Sequence, residues 1–226
     1  MKKLLIIVSS MFCVTFGVFP QQNDFFEYEV VDGTITITGF LLKEREIKIP
    51  DEIDSIPVTA IGHFPSNNQD ITHVVFPEGL KSIGGGAFSN NRISSINFPD
   101  SIEAIHTIAF QRNFLEELIL PKSLTHIGQM TFIDNRLRTV ILPEGILNIS
   151  DGAFNNNLLT EIVIPGSLTR IGNNVFTDNP LEKITIGENV EFYTAFEESF
   201  FDFYNENGKR AGVYQKIDGA WVFMGQ

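Results

Sequence analysis

The 226-residue chain has a single cysteine, Cys13, so no disulfide can staple it internally. Its four histidines, His63, His73, His106 and His126, show no metal-ligand spacing. A zinc site needs three or four convergent ligands, so these read as surface or turn residues. Basic residues are scarce: 16 Lys and Arg stand against 28 Asp and Glu, a net charge of −12. Nucleic-acid binding rests on cations that neutralise phosphate, so no nucleic acid is expected as a partner, and heparin-like polymers and anionic membranes are disfavoured with it. A partner carrying basic patches suits this charge better. No nucleophile elbow, phosphate-cradling glycine loop or dinucleotide fingerprint occurs. Gly84-Gly85-Gly86 lies at a repeat turn and reads as a turn signal. No catalytic residue, metal or cofactor is expected.

Long apolar runs are absent apart from the N-terminus. Lys2 and Lys3 precede an apolar stretch from Leu4 to Phe19, relieved by Ser9, Ser10, Thr15 and Gly17. Small residues at Thr15 and Gly17 suit cleavage after Gly17, so residues 1–17 are expected to be a cleaved signal peptide. A membrane anchor is the alternative, for which the stretch is short. Lipidation of Cys13 is another, disfavoured by the bulky Phe12 before it. The mature chain then has no cysteine and no membrane span, and packing must supply its stability.

Phenylalanine, at 21 copies, is what the chain has in excess, and it marks a repeat. Pro77, Pro99, Pro121, Pro143 and Pro165 recur every 22 residues. Phe88, Phe110, Phe132, Phe154 and Phe176 keep the same period, as do Asn91, Asn113, Asn135, Asn157 and Asn179. Apolar columns complete the unit: Leu115, Leu118, Leu120 and Leu124 in one copy, then Ile127 followed by Gly128. Leu118-Ile119-Leu120 alternates as a short strand requires, and Pro121 ends it, having no N–H for a ladder. Gly128 is expected to take a left-handed turn, with His106 and Ser150 replacing it in two copies. The Phe column should stack as a spine. The Asn column should bond backbone groups left unpaired by the turn. A lone unit cannot bury enough to offset its ordering, so the units must stack into a solenoid.

The pattern L-x-x-L-x-L-P-x-x-L-x-x-I-G-x-x-x-F-x-x-N resembles the bacterial BspA-like class of leucine-rich repeats, over roughly residues 44–190. Ala-Phe pairs at Ala87-Phe88, Ala109-Phe110 and Ala153-Phe154 fit that class, while Thr131-Phe132 and Val175-Phe176 depart from it. The resemblance implies a leucine-rich-repeat solenoid, β-rich, with short parallel strands and turn or 3-10 segments. It also implies a secreted or cell-surface protein with adhesive or protein-binding roles and no catalysis. It carries over no binding residue.

Before the array, Phe26, Tyr28 and Val30 alternate, then Asp32-Gly33, then Ile35 and Ile37. This predicts an N-terminal β-hairpin cap over 24–43. An irregular first repeat follows, with five extra residues between Ile53 and Thr59. After residue 190 come Phe192, Tyr193, Phe196, Phe200, Phe201, Phe203 and Tyr204, then strands around Tyr214 and Trp221 with a turn at Asp218-Gly219. Residues 191–226 are expected to form an aromatic β-meander cap. An aromatic ligand platform is the less favoured reading of this cluster.

The candidate binding surface lies on the strands. Val75, Asn97, Ile119, Ile141, Val163 and Thr185 each fall between two inward residues and should point outward. Beside them run His73, Ser95, Glu117, Thr139, Glu161 and Lys183. The surface is expected to be His73, Val75, Asn97, Glu117, Ile119, Thr139, Ile141, Glu161, Val163 and Lys183, an apolar stripe with a polar border. Strand preference on a solvated face explains the stripe equally well; an apolar stripe rimmed by polar groups is also what protein-binding surfaces look like. Glu78, Asp100, Glu144 and Glu188 form an acidic column, but only Glu78 and Asp100 lie in neighbouring repeats. The expected function is a non-catalytic, adhesin-like module of the cell surface or envelope. Its partner would be a protein, such as a host extracellular-matrix or serum protein, and the module itself a monomer. A structural or assembly role in the envelope is the alternative, and a glycan-active enzyme is disfavoured.

Overall fold

The computed structural model describes residues 21–23, 25–41, 44–63, 70–188, 190 and 198–225. The expected signal segment 1–17, with Cys13, lies outside the described residues, as do Phe192, Tyr193 and Phe196.

The chain opens with β1 (Gln21–Gln22), antiparallel to β2 (Phe26–Val31), which turns into β3 (Thr34–Phe40). Asp32 and Gly33 have φ of 49° and 76°, the paired left-handed conformations of a primed hairpin turn. The predicted N-terminal hairpin is thus present. β4 (Glu46–Lys48) follows. The extra residues of the first repeat then form a second hairpin of β5 (Glu52–Ile53) and β6 (Ile56–Ile61), turning at Asp54-Ser55. β6 runs parallel to β3, which joins the cap to the array.

From here the chain coils in stacked turns, each offering short segments to two faces. In order come β7 (His73–Val75), β8 (Ser82–Ile83), β9 (Ala104–Ile105), β10 (Glu117–Ile119), β11 (His126–Ile127) and β12 (Thr139–Ile141). Then come β13 (Asn148–Ile149), β14 (Glu161–Ile164), β15 (Arg170–Ile171) and β16 (Lys183–Ile186). The Ile-Gly column supplies the more continuous ladder: β6, β8, β9, β11, β13 and β15 pair in parallel, one after another. The expected strand column is more broken. β4 pairs β7, β10 pairs β12, and β14 pairs β16.

The interior is the predicted spine. Phe88, Phe110, Phe132, Phe154 and Phe176 are fully buried, and neighbouring rings stack with centroids 5.4–5.7 Å apart and planes within 13°. The Asn ladder is present as well. Asn135 Oδ1 accepts from Leu115 N–H at 3.2 Å, while its Nδ2 donates to the carbonyls of Phe110 and Phe132 at 3.0 and 3.1 Å. Asn113, Asn157 and Asn179 repeat this bridging between turns.

Two expectations need correction. Gly128 does not adopt a left-handed φ, and neither do Gly84, Gly172 or His106. A Cβ at Gly84 would collide with the Gly62 carbonyl, one at Gly128 with the Thr107 nitrogen, and one at Gly172 with the Asp151 nitrogen. Glycine is needed there because adjacent turns approach too closely for a side chain. The left-handed positions fall elsewhere in the turn, in two columns: Gly86, Ile108, Met130, Gly152 and Asn174, and four residues later Asn90, Arg112, Asp134, Asn156 and Asp178.

The second correction concerns the C-terminal cap, which is not purely β. Residues Glu198–Glu206 form a helix, α1, and Phe200 and Tyr204 lie one helical turn apart with rings 5.7 Å from each other. The Tyr204 hydroxyl donates to the Val190 carbonyl at 3.1 Å, tying α1 to the last turn of the array. Phe200 packs edge-on against Tyr214 and Trp221, at 5.1 and 5.0 Å. The expected hairpin is there as β17 (Gly212–Ile217) and β18 (Ala220–Gly225), with β17 antiparallel to β16. Phe200, Tyr204, Tyr214 and Trp221 are thus buried together beside the last described turn of the array.

Candidate interaction surface

Each strand of the broken ladder presents alternate residues to opposite sides. On β10, Leu118 is 1% exposed whereas Ile119 is 68% exposed. Ile119 sits in direct register with Ile141, and Glu117 with Thr139. The next turn adds Val163, so that Ile141 and Val163 are 53% and 59% exposed. Val75 is exposed as well. His73, Glu117, Thr139, Glu161 and Lys183 form the exposed border. Lys183 Nζ lies 3.3 Å from Glu161 Oε2, an exposed pair of small energetic worth at the margin of the stripe.

Two members behave differently from expectation. Asn97 is exposed but belongs to no strand. The ladder is interrupted at Ser94-Ser95-Ile96-Asn97, where Asn97, of low strand preference, stands in a column that is β-branched in the other turns. The turns still stack there, because Arg92 N–H donates to Ile71 and Phe114 N–H to Ile93 at 2.8 and 2.9 Å. Thr185 is half-buried, since β17 pairs it with Val213. The outward stripe is therefore strongest over Ile119, Ile141 and Val163, with Val75 separated from them by the polar Asn97.

The side chains with chemical potential do not converge. His63, His73, His106 and His126 are all exposed and lie in different columns of the repeat. His126 Nδ1 is 2.7 Å from Thr125 Oγ1, a local contact. Glu78, Asp100, Glu144 and Glu188 are exposed. Among the described residues no three His, Cys, Asp or Glu side chains come together as a metal site. Burial pushes the Tyr28 and Tyr214 phenols up from their ordinary pKa, and both belong to the caps. Among the described residues no helix is long and apolar enough to cross a membrane.

A cleft that sequence reasoning missed lies at the N-terminal end. It has a volume of about 520 Å³ and runs along β4, with Phe25, Phe40 and Ile47 on its walls and Glu44, Glu46, Lys48 and Glu52 at its rim. The cleft joins residues far apart in the repeat pattern, from the cap hairpin and from the irregular first turn. No periodic signal could have announced it.

Comparison with known proteins agrees with this architecture. The structure resembles a leucine-rich cell surface protein from Faecalibacterium prausnitzii, with a TM-score of 0.59 at 23% identity over 92% of this chain and 61% of that one. It also resembles the pneumococcal vaccine antigen PcpA, with a TM-score of 0.63 at 20% identity over 93% of this chain and 55% of that one. This chain thus spans less than two thirds of either protein. No curated protein matches it. The model of the BspA type leucine-rich repeat region matches residues 42–158 and 105–205, with six copies. The chain belongs to the BspA-type leucine-rich-repeat family.

Proposed function

We propose that this chain is a non-catalytic, adhesin-like module of the bacterial cell surface or envelope that holds a protein partner against its strand face. The observation that carries this reading is the stripe of Ile119, Ile141 and Val163, each more than half exposed on successive turns. Strand preference and cross-strand contact favour β-branched residues in such a stripe, but they leave its outer apolar area in water. A partner that covers the stripe removes that area from water, at about 25 cal/mol per Å². The polar border fits the usual anatomy of such surfaces, an apolar centre with a hydrated rim. Family membership supports a protein-interaction role, and the F. prausnitzii relative is a cell surface protein. The N-terminal Lys2-Lys3 and apolar stretch support export, with residues 1–17 removed. The acidic balance of the chain favours a partner with basic patches beside its apolar contact. Host matrix and serum proteins are the partners to test first.

The test is saturable binding of the purified chain to an immobilised panel of matrix and serum proteins. The triple variant Ile119→Asp/Ile141→Asp/Val163→Asp is measured beside it, with its fold checked by circular dichroism. The expected result is binding by the native chain and a loss of at least about 100-fold in the variant, since buried charge without a partner is costly. Equal binding by both proteins would refute the assignment of the strand face.

A further inference from the structure

We infer that the partner segment covering the strand-face stripe is a short amphipathic helix with basic flanks, lying across the strands and along the axis of the stack. The inference rests on the proposed binding role of that face and names what the face recognises. The apolar residues run across the strands and not along them. Along β10 the outward neighbour of Ile119 is Glu117, while Leu118 and Leu120 are buried. Across the strands Ile119 stands in direct register with Ile141, and Val163 takes the same place on the next turn. The line is bounded at both ends. Asn97 ends it on one side, and on the other Thr185 is half-buried where β17 pairs with it. A partner therefore meets three apolar side chains in a row, one per turn.

That spacing selects the secondary structure of the partner. Neighbouring strands lie about 4.8 Å apart, so the three residues span about 9.6 Å. In a helix, residues i, i+4 and i+7 share one face and span about 10.5 Å, at a rise of about 1.5 Å per residue. The mismatch over the whole line is about 1 Å, within the reach of side-chain rotamers. Alternate residues of an extended strand stand about 6.8 Å apart, so its third contact would fall about 4 Å out of place. One face of a polyproline segment returns about every 9.3 Å, which meets Ile119 and Val163 and skips Ile141. Of these, only the helix sets one apolar residue against each of the three, by the anchor spacing that helices use in apolar grooves.

The charges beside the line are unequal. Over the same three turns, the exposed positions on its two flanks hold Glu116, Glu117, Glu144 and Glu161 against Lys122 and Arg138. Lys183 sits on Glu161, so the excess of negative charge falls at the Glu116-Glu117 end. Basic residues on the flanks of the helix complement that end. They set the register of the helix along the line, while its apolar residues cover Ile119, Ile141 and Val163.

The probe is a labelled peptide of about 18 residues, long enough to hold a helix, built of Ala and Lys with Leu at i, i+4 and i+7. Its control has the same composition with Leu at i, i+2 and i+4, which gathers the Leu on one face of a strand and splits them on a helix. Binding to the purified full chain is read by fluorescence anisotropy, and helix formation by circular dichroism of the mixture. The helical peptide should bind saturably, gain helix on binding, weaken with salt and bind at least about tenfold more tightly than the control. The triple variant Ile119→Asp/Ile141→Asp/Val163→Asp should lose this binding. Glu116→Lys/Glu117→Lys, which changes only exposed positions, should weaken it at least about fivefold. A control that binds as tightly as the helical peptide, a triple variant that binds it like the native chain, or a helical peptide that does not bind would each overturn the helix. Failure of the face itself reads differently. A matrix or serum protein held by the native chain and lost from the triple variant upholds the face, and a helical peptide unable to displace that protein then refutes the helix alone. A protein that stays on the triple variant removes the face, and the helix with it.

Discussion

Leu118 and Ile119 are neighbours on one strand and answer to different demands. Leu118 belongs to a column that is apolar in every turn and buried in every turn, because the turn above and the turn below both pack on it. Ile119 belongs to a column that reads Val, Asn, Ile, Ile, Val and Thr, and it faces outward. The inner column is repeated because stacking requires it. The outer column is free to vary, and among the described residues its apolar members over three turns stay exposed. Regularity in this molecule reports the fold, and exposed apolar residues among the irregular positions report the surface available to a partner.

That contrast can be broken from the inside. Phe132 stacks between Phe110 and Phe154, so Phe132→Ala should cost about 3–5 kcal/mol, read as a lowered urea midpoint. Asn135→Ala leaves the buried Leu115 N–H without its acceptor, and a loss of about 1–3 kcal/mol is expected in the same assay. A smaller change of opposite sign should come from Met130, which holds a left-handed φ of 53° in a column where Gly86 and Gly152 also stand. Met130→Gly relieves that conformation and should gain about 0.5–1 kcal/mol after the entropy of glycine is subtracted, seen as a raised Tm. The outer column should respond least. Ile141→Asp should change stability by less than about 0.5 kcal/mol by denaturation, while weakening partner binding. A large loss of stability there would mean that the stripe serves packing.

Much of the interior was legible because it is periodic. Three columns at one spacing are enough to place the Phe stack and the Asn ladder, and the alternation around Ile119 is enough to place its side chain outward. The glycines were misjudged for a physical reason. A Gly after Ile is equally consistent with positive φ and with close approach, and only the stacked neighbour distinguishes them. The helix Glu198–Glu206 is masked in the sequence by the aromatic mass of Phe200, Phe203 and Tyr204, which suits a β-meander equally well. Their spacing of three and four was the available signal. The break at Asn97 was foreshadowed by Ser94-Ser95, but ladder continuity depends on both neighbours.

By itself the sequence determined the repeat, the coiled stack and the identity of the inward residues. Each of these follows from local chemistry multiplied by a fixed period. Only the tertiary structure decided how the N-terminal hairpin and α1 join the array and where the cleft beside β4 lies. Those features arise where the period fails, and contacts there join residues that no spacing relates.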